Sequence, residues 1–131
     1  MTDDEFEAFY GRWAGPMTGQ VYLLTGDLHE AQDVVQEAFV RALARPAQVR
    51  ELDNPEAWLR TVALNVARSR HRRRVLLDRI LFSGRLDRRT APEDLSPDHV
   101  ALVRALQRLP RTIRETVVLH HIADLPVAEV A

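Results

Sequence analysis

Apolar side chains recur at steps of three and four along most of the chain, and strict alternation is almost absent. This spacing is typical of helices that bury one face. The most regular case begins after Asp27 and comprises Ala31, Val34, Val35, Ala38, Phe39, Ala42 and Leu43. Asp27 with Glu30 three residues later indicates the N-terminus of this helix, and Gly26 indicates the end of the helix before it. The pattern therefore predicts an all-α protein.

Proline and glycine divide the remaining helical pattern. Gly15-Pro16 interrupts the first segment, for which we expect a kink or two short helices, because proline cannot donate the helical hydrogen bond. Residues 45–53 are expected to form a loop, and Asn54-Pro55 opens a helix. Glycine, prolines and charges follow Phe82. We therefore expect a first domain over 1–82, a linker over 83–97 and a second unit over 98–131.

The helix that Asn54 opens changes character at its far end. From Arg68 to Arg74, six of seven residues are arginine or histidine and surround the helix, so this part is expected to project from the core. Asn65, Arg68 and Arg72 share one face. Arginines bind phosphates, and an amide can pair with a base edge, so the segment predicts a nucleic-acid site. The alternative is a basic end that only keeps the protein soluble.

Charge is unevenly distributed behind a net charge of −1. Residues 1–40 carry a net charge of −7 and residues 60–89 one of +8. The outer face of the helix after Asp27 holds Glu30, Asp33, Gln36, Glu37 and Arg41. Glu37 and Arg41 are spaced for an ion pair, whereas Asp33 and Glu37 repel each other. This face indicates either a basic partner or a plain solvated surface.

The composition excludes several chemistries. The chain has no cysteine, and it contains no glycine-rich phosphate loop and no nucleophile elbow. His120, His121 and Asp124 form the nearest approach to a metal site, but they supply too few ligands, and surface histidines are the alternative. No apolar run reaches the roughly 20 residues of a membrane span, and the N-terminus is acidic. We expect a cytoplasmic protein that is not an enzyme, without metal, cofactor or membrane insertion.

Three runs resemble the extracytoplasmic-function (ECF) bacterial sigma factors. Residues 27–43 resemble region 2.2 of that family, residues 54–74 resemble regions 2.3 to 2.4, and residues 105–119 resemble the start of region 4. Residues 128–131 resemble the opening of its helix-turn-helix. The runs stand in family order with similar spacing. Ser69 departs from the acid common at its position, and Pro126 departs from the usual Ser or Thr.

The resemblance implies a function for both charged surfaces. It implies an RNA polymerase sigma factor that directs promoter-specific initiation, with the region 2.2 helix docking on the β′ clamp helices of the polymerase core. Residues implied at that contact are Asp33, Gln36, Glu37 and Arg41. The region 2.4 helix and the preceding loop, residues 45–54, would read the −10 element of promoter DNA. Residues implied at the DNA are Arg60, Asn65, Arg68, Arg70, Arg72 and Arg73.

The resemblance implies two further expectations. The chain would be truncated within region 4, since the family's recognition helix follows the position of Ala131. Many relatives are held inactive by an anti-sigma protein, so such a partner is expected here, and residues 75–82 could belong to that interface. The alternative function is a helical nucleic-acid-binding regulatory domain that acts independently of polymerase. Binding to polymerase through the acidic helix would distinguish the sigma-factor function from this alternative.

Overall fold

The computed structural model describes residues 3–81 and 97–122, which are almost entirely helical and contain no strand. The all-α prediction is confirmed. The elements are α1 (Asp3–Thr25), α2 (Leu28–Ala44), α3 (Pro46–Arg50), α4 (Pro55–Leu81), α5 (Pro97–Gln107), α6 (Arg111–Val117) and a π-helical turn, Val118–Ile122.

Helix α1 continues through Pro16 as one element, so of the two alternatives expected there, a kink or two short helices, the second is excluded. An interior proline costs about 3 kcal/mol through its missing hydrogen bond and its clash with the preceding turn. The following face compensates, because Met17, Val21 and Leu24 are almost fully buried. Each such side chain contributes roughly 1.5–3 kcal/mol on burial. Pro16 itself faces solvent.

The junction between α1 and α2 follows the predicted stop and start. Gly26 has φ 70°, a left-handed conformation that glycine adopts readily, and its N–H donates to the Tyr22 carbonyl. The Asp27 carboxylate accepts hydrogen bonds from the backbone N–H of His29 and of Glu30. The hydroxyl of Thr25, rather than Glu30, accepts from the Asp27 N–H. The Glu30 side chain is thereby left for a different partner.

Helices α1, α2 and α4 enclose the main core. The inward stripe of α2 matches the sequence pattern from Ala31 to Ala42, with Ala31, Val34 and Ala38 fully buried. The prediction was wrong for Leu43, which is 53% exposed near the end of the helix. Phe39 is 2% exposed and contacts the rings of Phe6, Phe9 and Tyr10 edge to face. Of the stretch expected as a loop, the part beginning at Pro46 forms the short helix α3, whose Val49 is buried.

The C-terminal helices pack against the end of α1. Val103 and Leu106 of α5, with Val118 and Leu119 of the π-helical turn, are buried in the same apolar cluster as Val21 and Leu24. Contacts with α1 predominate over contacts with α4 for these elements. Most of the proposed linker lies outside the described residues, as does the start of the proposed helix-turn-helix. Within the described residues, α5 and α6 share the core of the first three long helices.

Candidate nucleic-acid and polymerase interface

The outer face of α2 presents the residues expected to bind polymerase. Asp33 has a side chain 62% exposed, Gln36 is exposed, and Arg41 donates from Nη2 to Glu37 Oε1 at 3.2 Å. The predicted ion pair between Glu37 and Arg41 is therefore present. Val40 and Leu43 add exposed apolar area beside these polar groups. The face is acidic, solvated and partly apolar, which suits a protein contact.

Helix α4 divides into a buried half and an outward half. Asn54 opens the helix by accepting the Ala57 N–H through its side-chain oxygen at 3.3 Å. Leu59, Ala63 and Val66 then pack into the core, so the first turns are fixed in direction. The helix continues without a break to Leu81. The arginine segment, residues 68–74, was expected to project from the core, but three of its arginines contact other helices and only Arg72 and Arg73 are exposed.

Asn65, Arg72 and Arg73 are exposed on α4. Among the described residues, neither Arg72 nor Arg73 forms an ion pair, so their guanidinium groups are available to an external anion. Asn65 lies on the same helix face as Arg72, two turns earlier. An amide flanked by arginines can combine a base contact with phosphate contacts. Three of the six predicted DNA contacts thus lie on an open surface.

Arg70 binds α2. Its Nε and Nη2 donate to the two Glu30 carboxylate oxygens at 2.5 and 3.1 Å, and Nη2 also lies 3.5 Å from Asp33 Oδ2. Glu30 is mostly buried, and the hydrogen bond from Arg70 lowers its pKa, against the opposing effect of burial. Arg74 adds a longer contact of 3.8 Å to Glu30. Arg70 and Arg74 thus attach the arginine segment of α4 to the acidic helix α2.

Arg68 binds the C-terminal segment. Its Nε donates to both Glu115 oxygens at 3.2 and 3.1 Å, and its Nη2 donates to Oε2 at 2.7 Å. Glu115 is 5% exposed, whereas the Arg68 side chain remains 39% exposed. The hydrogen bond from Arg68 to Glu115 raises the pKa of Arg68. Arg68, which was predicted to contact DNA, therefore already forms an ion pair with a carboxylate of α6.

Side chains from α5 and α6 attach this segment to α1. Gln107 Nε2 donates to the Leu23 carbonyl at 2.9 Å, and Arg114 Nη1 donates to the Leu24 carbonyl at 2.9 Å. Arg114 also binds carbonyls of the α5–α6 turn, those of Leu106, Gln107 and Leu109. These bonds satisfy carbonyls at the end of α1 that the helix itself leaves without partners.

Arg60 lies on a different side of α4. Its Nε donates to Gln20 Oε1 at 2.9 Å, and its guanidinium carbon lies 5.9 Å from the ring centre of Trp13. Arg12 approaches the same ring at 5.4 Å. Phe9, Trp13, Pro55 and Glu56 line an open hollow of about 350 Å³ beside this cluster. Arg60 thus supports the packing of α1 on α4, and the role predicted for it at DNA stays a prediction.

The described helices contain neither a metal-binding cluster nor a membrane-spanning helix. The part of the chain that the structure describes contains no group of three or more histidine and acidic side chains placed to hold a metal. Asp124, the third member of the histidine cluster, lies outside that part. None of the described helices combines the length and apolar character of a membrane span.

Comparison with known proteins assigns a family to the segment that contains most of α1, α2 and α4. The family model for Sigma-70 region 2 matches residues 9–76, which is just over half of the chain. The chain is 36% identical over 107 residues to the ECF RNA polymerase sigma factor SigL of Mycobacterium tuberculosis. The chain belongs to the ECF sigma factors. The family predicted from the three sequence runs is therefore confirmed.

Further relatives support the same family. This sigma factor is 31% identical over 140 residues to the ECF RNA polymerase sigma factor BldN of Streptomyces coelicolor, covering 98% of the chain and 51% of BldN. It is 32% identical over 125 residues to SigE of Mycolicibacterium smegmatis, covering 83% of the chain and 45% of SigE. The SigL match covers 78% of the chain and 55% of SigL. The chain thus spans about half the length of these relatives. No solved structure gives a significant match.

Three side chains that hold the helices together were not identified from the sequence. Glu115 and Gln107 have partners 47 and 84 residues away in the chain. Glu30 was assigned to the outer face of α2 by its spacing, yet its side chain is turned toward α4. For the two glutamates a signal was present, because each lies beside apolar positions while the arginines are concentrated in another segment.

Proposed function

We propose that the chain is a promoter-specificity subunit of RNA polymerase, without catalytic activity of its own. The observation that carries the proposal is the contact between α2 and α4, which present surfaces of opposite charge. The α2 surface consists of Asp33, Gln36, Glu37 and Arg41, and it adjoins the arginine segment through the contact of Asp33 with Arg70. We propose that the α2 surface binds a protein and the exposed arginines of α4 bind a polyanion.

The α2 surface is proposed to dock on the clamp helices of the polymerase β′ subunit. Its acidic groups suit a basic partner, since complementary charge steers association and excludes partners of like charge. Val40 and Leu43, 64% and 53% exposed, would lose water on docking and add apolar contact. The names of the relatives, all ECF RNA polymerase sigma factors, support this partner.

The outward half of α4 is proposed to read the −10 element of promoter DNA. Arg72 and Arg73 would neutralise phosphates, and Asn65 would contact a base edge. Arg68 and Arg70 lie on the same segment, and we propose that they reach DNA when their carboxylate partners are displaced. The preceding residues 45–54, which include α3, would flank the same DNA.

The decisive experiment compares two double variants in a pull-down with bacterial core RNA polymerase. Asp33→Arg with Glu37→Arg reverses the α2 surface and is expected to weaken binding about tenfold or more, because like charges would then face each other. Glu7→Arg with Asp98→Arg makes the same charge change at two exposed positions away from α2 and is expected to have little effect.

Unchanged binding by the α2 variant would overturn the polymerase contact. The chain would then fit the alternative of a nucleic-acid-binding regulatory domain that acts independently of polymerase. Circular dichroism on both variants shows whether the helices persist, so a loss of fold is not mistaken for a loss of docking.

A further inference from the structure

Where α4 meets α6, two arginines, Arg68 and Arg111, contact one carboxylate, that of Glu115, so positive charge exceeds negative charge in this ion-pair cluster. Arg68, His71 and Arg74 share one face of α4, and Arg111 and Arg114 approach from α6. Glu115 is the acid that α6 contributes there. Glu30 of α2 is held mainly by Arg70. Several guanidinium groups therefore converge on one buried carboxylate.

Arg111 shows the imbalance most directly. Its Nε lies 3.5 Å from Glu115 Oε1, and its Nε and Nη2 are buried without a hydrogen-bond partner among the described residues. Arg74 Nε is also buried without a hydrogen-bond partner among the described residues. Burial lowers the pKa of Arg111, Glu115 opposes this, and the neighbouring Arg114, Arg74 and Arg68 lower the pKa further. Buried donors of this kind favour an additional anion.

Glu115 resembles a bound phosphate in its contacts with Arg68. A carboxylate and a phosphate each accept two parallel N–H bonds from one guanidinium group, which is the geometry of Arg68 on Glu115. The Arg68 side chain also remains partly open to solvent. A DNA phosphate could therefore approach the same donors from outside, but only in competition with Glu115.

We propose that Glu115 is a built-in competitor of DNA, whose carboxylate holds Arg68 in the position that a backbone phosphate takes when DNA binds. Gln107 and Arg114 keep Glu115 in place by attaching the C-terminal helices to the Leu23 and Leu24 carbonyls. The chain alone then binds DNA through a reduced set of arginines. An apparent affinity falls in proportion to the fraction of molecules that is competent to bind.

This inference rests on the proposed function, since it requires the arginine segment to contact DNA. The test uses the whole chain without polymerase and a fluorescent oligonucleotide, both as a single strand and as a duplex. Glu115→Gln removes the competing charge, and Asp98→Asn makes the same change of net charge at an exposed position on α5. Affinity is measured as a function of salt concentration.

Glu115→Gln is expected to raise DNA affinity about tenfold, which equals the effect of roughly 1.4 kcal/mol. It should also steepen the slope of log K against log salt by about 0.9 for duplex and about 0.7 for single strand, because one more arginine releases counterions. Asp98→Asn should do neither. Equal behaviour of the two variants would overturn the proposal.

Arg68→Gln separates competition from a general charge effect. It is expected to reduce affinity only slightly in the original chain, where Glu115 already holds Arg68, and strongly in the Glu115→Gln chain. The same loss in both backgrounds would contradict the coupling. If Glu115→Gln does not fold, Glu115→Asp withdraws the carboxylate by one methylene and should raise affinity in the same direction.

Failure of the proposed function gives a different result. Arg72→Gln and Arg73→Gln report on the DNA surface independently of Glu115. If these variants leave DNA affinity and its salt slope unchanged, the segment does not bind DNA and the proposed function fails. If they weaken binding while Glu115→Gln matches Asp98→Asn, only the competition is refuted.

Discussion

Two pairs of arginines on α4 are chemically identical but differ in their surroundings. The inner pair, Arg68 and Arg70, each hold a carboxylate from another helix, whereas the exposed pair, Arg72 and Arg73, face solvent. The inner pair contributes to the fold, and the exposed pair is proposed to supply charge for DNA. A run of like residues therefore has to be divided by the contacts of each side chain before a role is assigned to any member, since Arg68 and Arg72 lie four residues apart on one helix face.

The largest difference is expected in stability. Arg70→Ala leaves the mostly buried Glu30 without its main partner, and we expect the free energy of unfolding to fall by about 2 kcal/mol, in the range for an unpaired buried charge. Arg73→Ala, a matched substitution in the exposed pair, should stay within about 0.5 kcal/mol. Urea unfolding measures both. Equal losses of unfolding free energy would contradict the distinction between the inner and the exposed pair of arginines.

The next difference is expected in DNA binding. Arg73→Ala should weaken binding several-fold and reduce the slope of log K against log salt by about 0.9 on duplex DNA, the effect of one lost phosphate contact. Arg108→Ala removes an exposed arginine beyond the end of α5 and serves as the control. Fluorescence anisotropy over a salt series gives both slopes. If the two variants behave alike, the exposed arginine pair of α4 has no particular role in DNA binding.

A separate effect concerns sequence preference. Asn65→Ala should reduce discrimination between matched and mismatched −10 sequences by about 1–3 kcal/mol, while the salt slope stays nearly unchanged, because an amide reads bases and releases no counterion. Competition binding with a randomised −10 segment measures the preference. A uniform loss on all sequences would assign Asn65 to the backbone contacts instead.

The smallest effect is expected from pH. Burial lowers the pKa of His71, and Arg111, Arg74 and Arg114 lower it further, although Glu115 opposes them. A lowered folded-state pKa means that stability is fully present above the unfolded value, about 6.5, and declines as pH falls through the folded value. His71→Gln should remove this decline. Unfolding at a series of pH values tests it, above the range in which Glu30 titrates.

The sequence predicted the local structure well and the long-range contacts poorly. Gly26, Asp27 and Asn54 end or begin helices because their side chains or backbone freedom act within four residues. Phe39 was placed in the core by its period. The spacing of an acid on one helix, by contrast, does not reveal which arginine on another helix it will meet.

Two departures from the expected structure have a common physical cause. Pro16 was expected to kink α1 or to divide it into two short helices, and residues 45–53 were expected to form a loop, because local propensity was given its full value. In the structure, burial of Met17 and Val21 after Pro16 and of Val49 after Pro46 stabilises helix where propensity alone does not. Tertiary packing supplies most of the stability of a protein helix.

The unbroken course of α4 from its packed turns into its exposed ones also sets a measure of length. Each residue advances the axis by about 1.5 Å, so Asn65 and Arg72 are separated by roughly 10 Å, close to three nucleotide steps of about 3.4 Å. Because Leu59 and Val66 fix the base of the helix, the proposed DNA contacts would keep this spacing. One residue inserted after Asn65 would rotate Arg72 by about 100° relative to Asn65, so that under the proposed function the two side chains would no longer contact the same strand together.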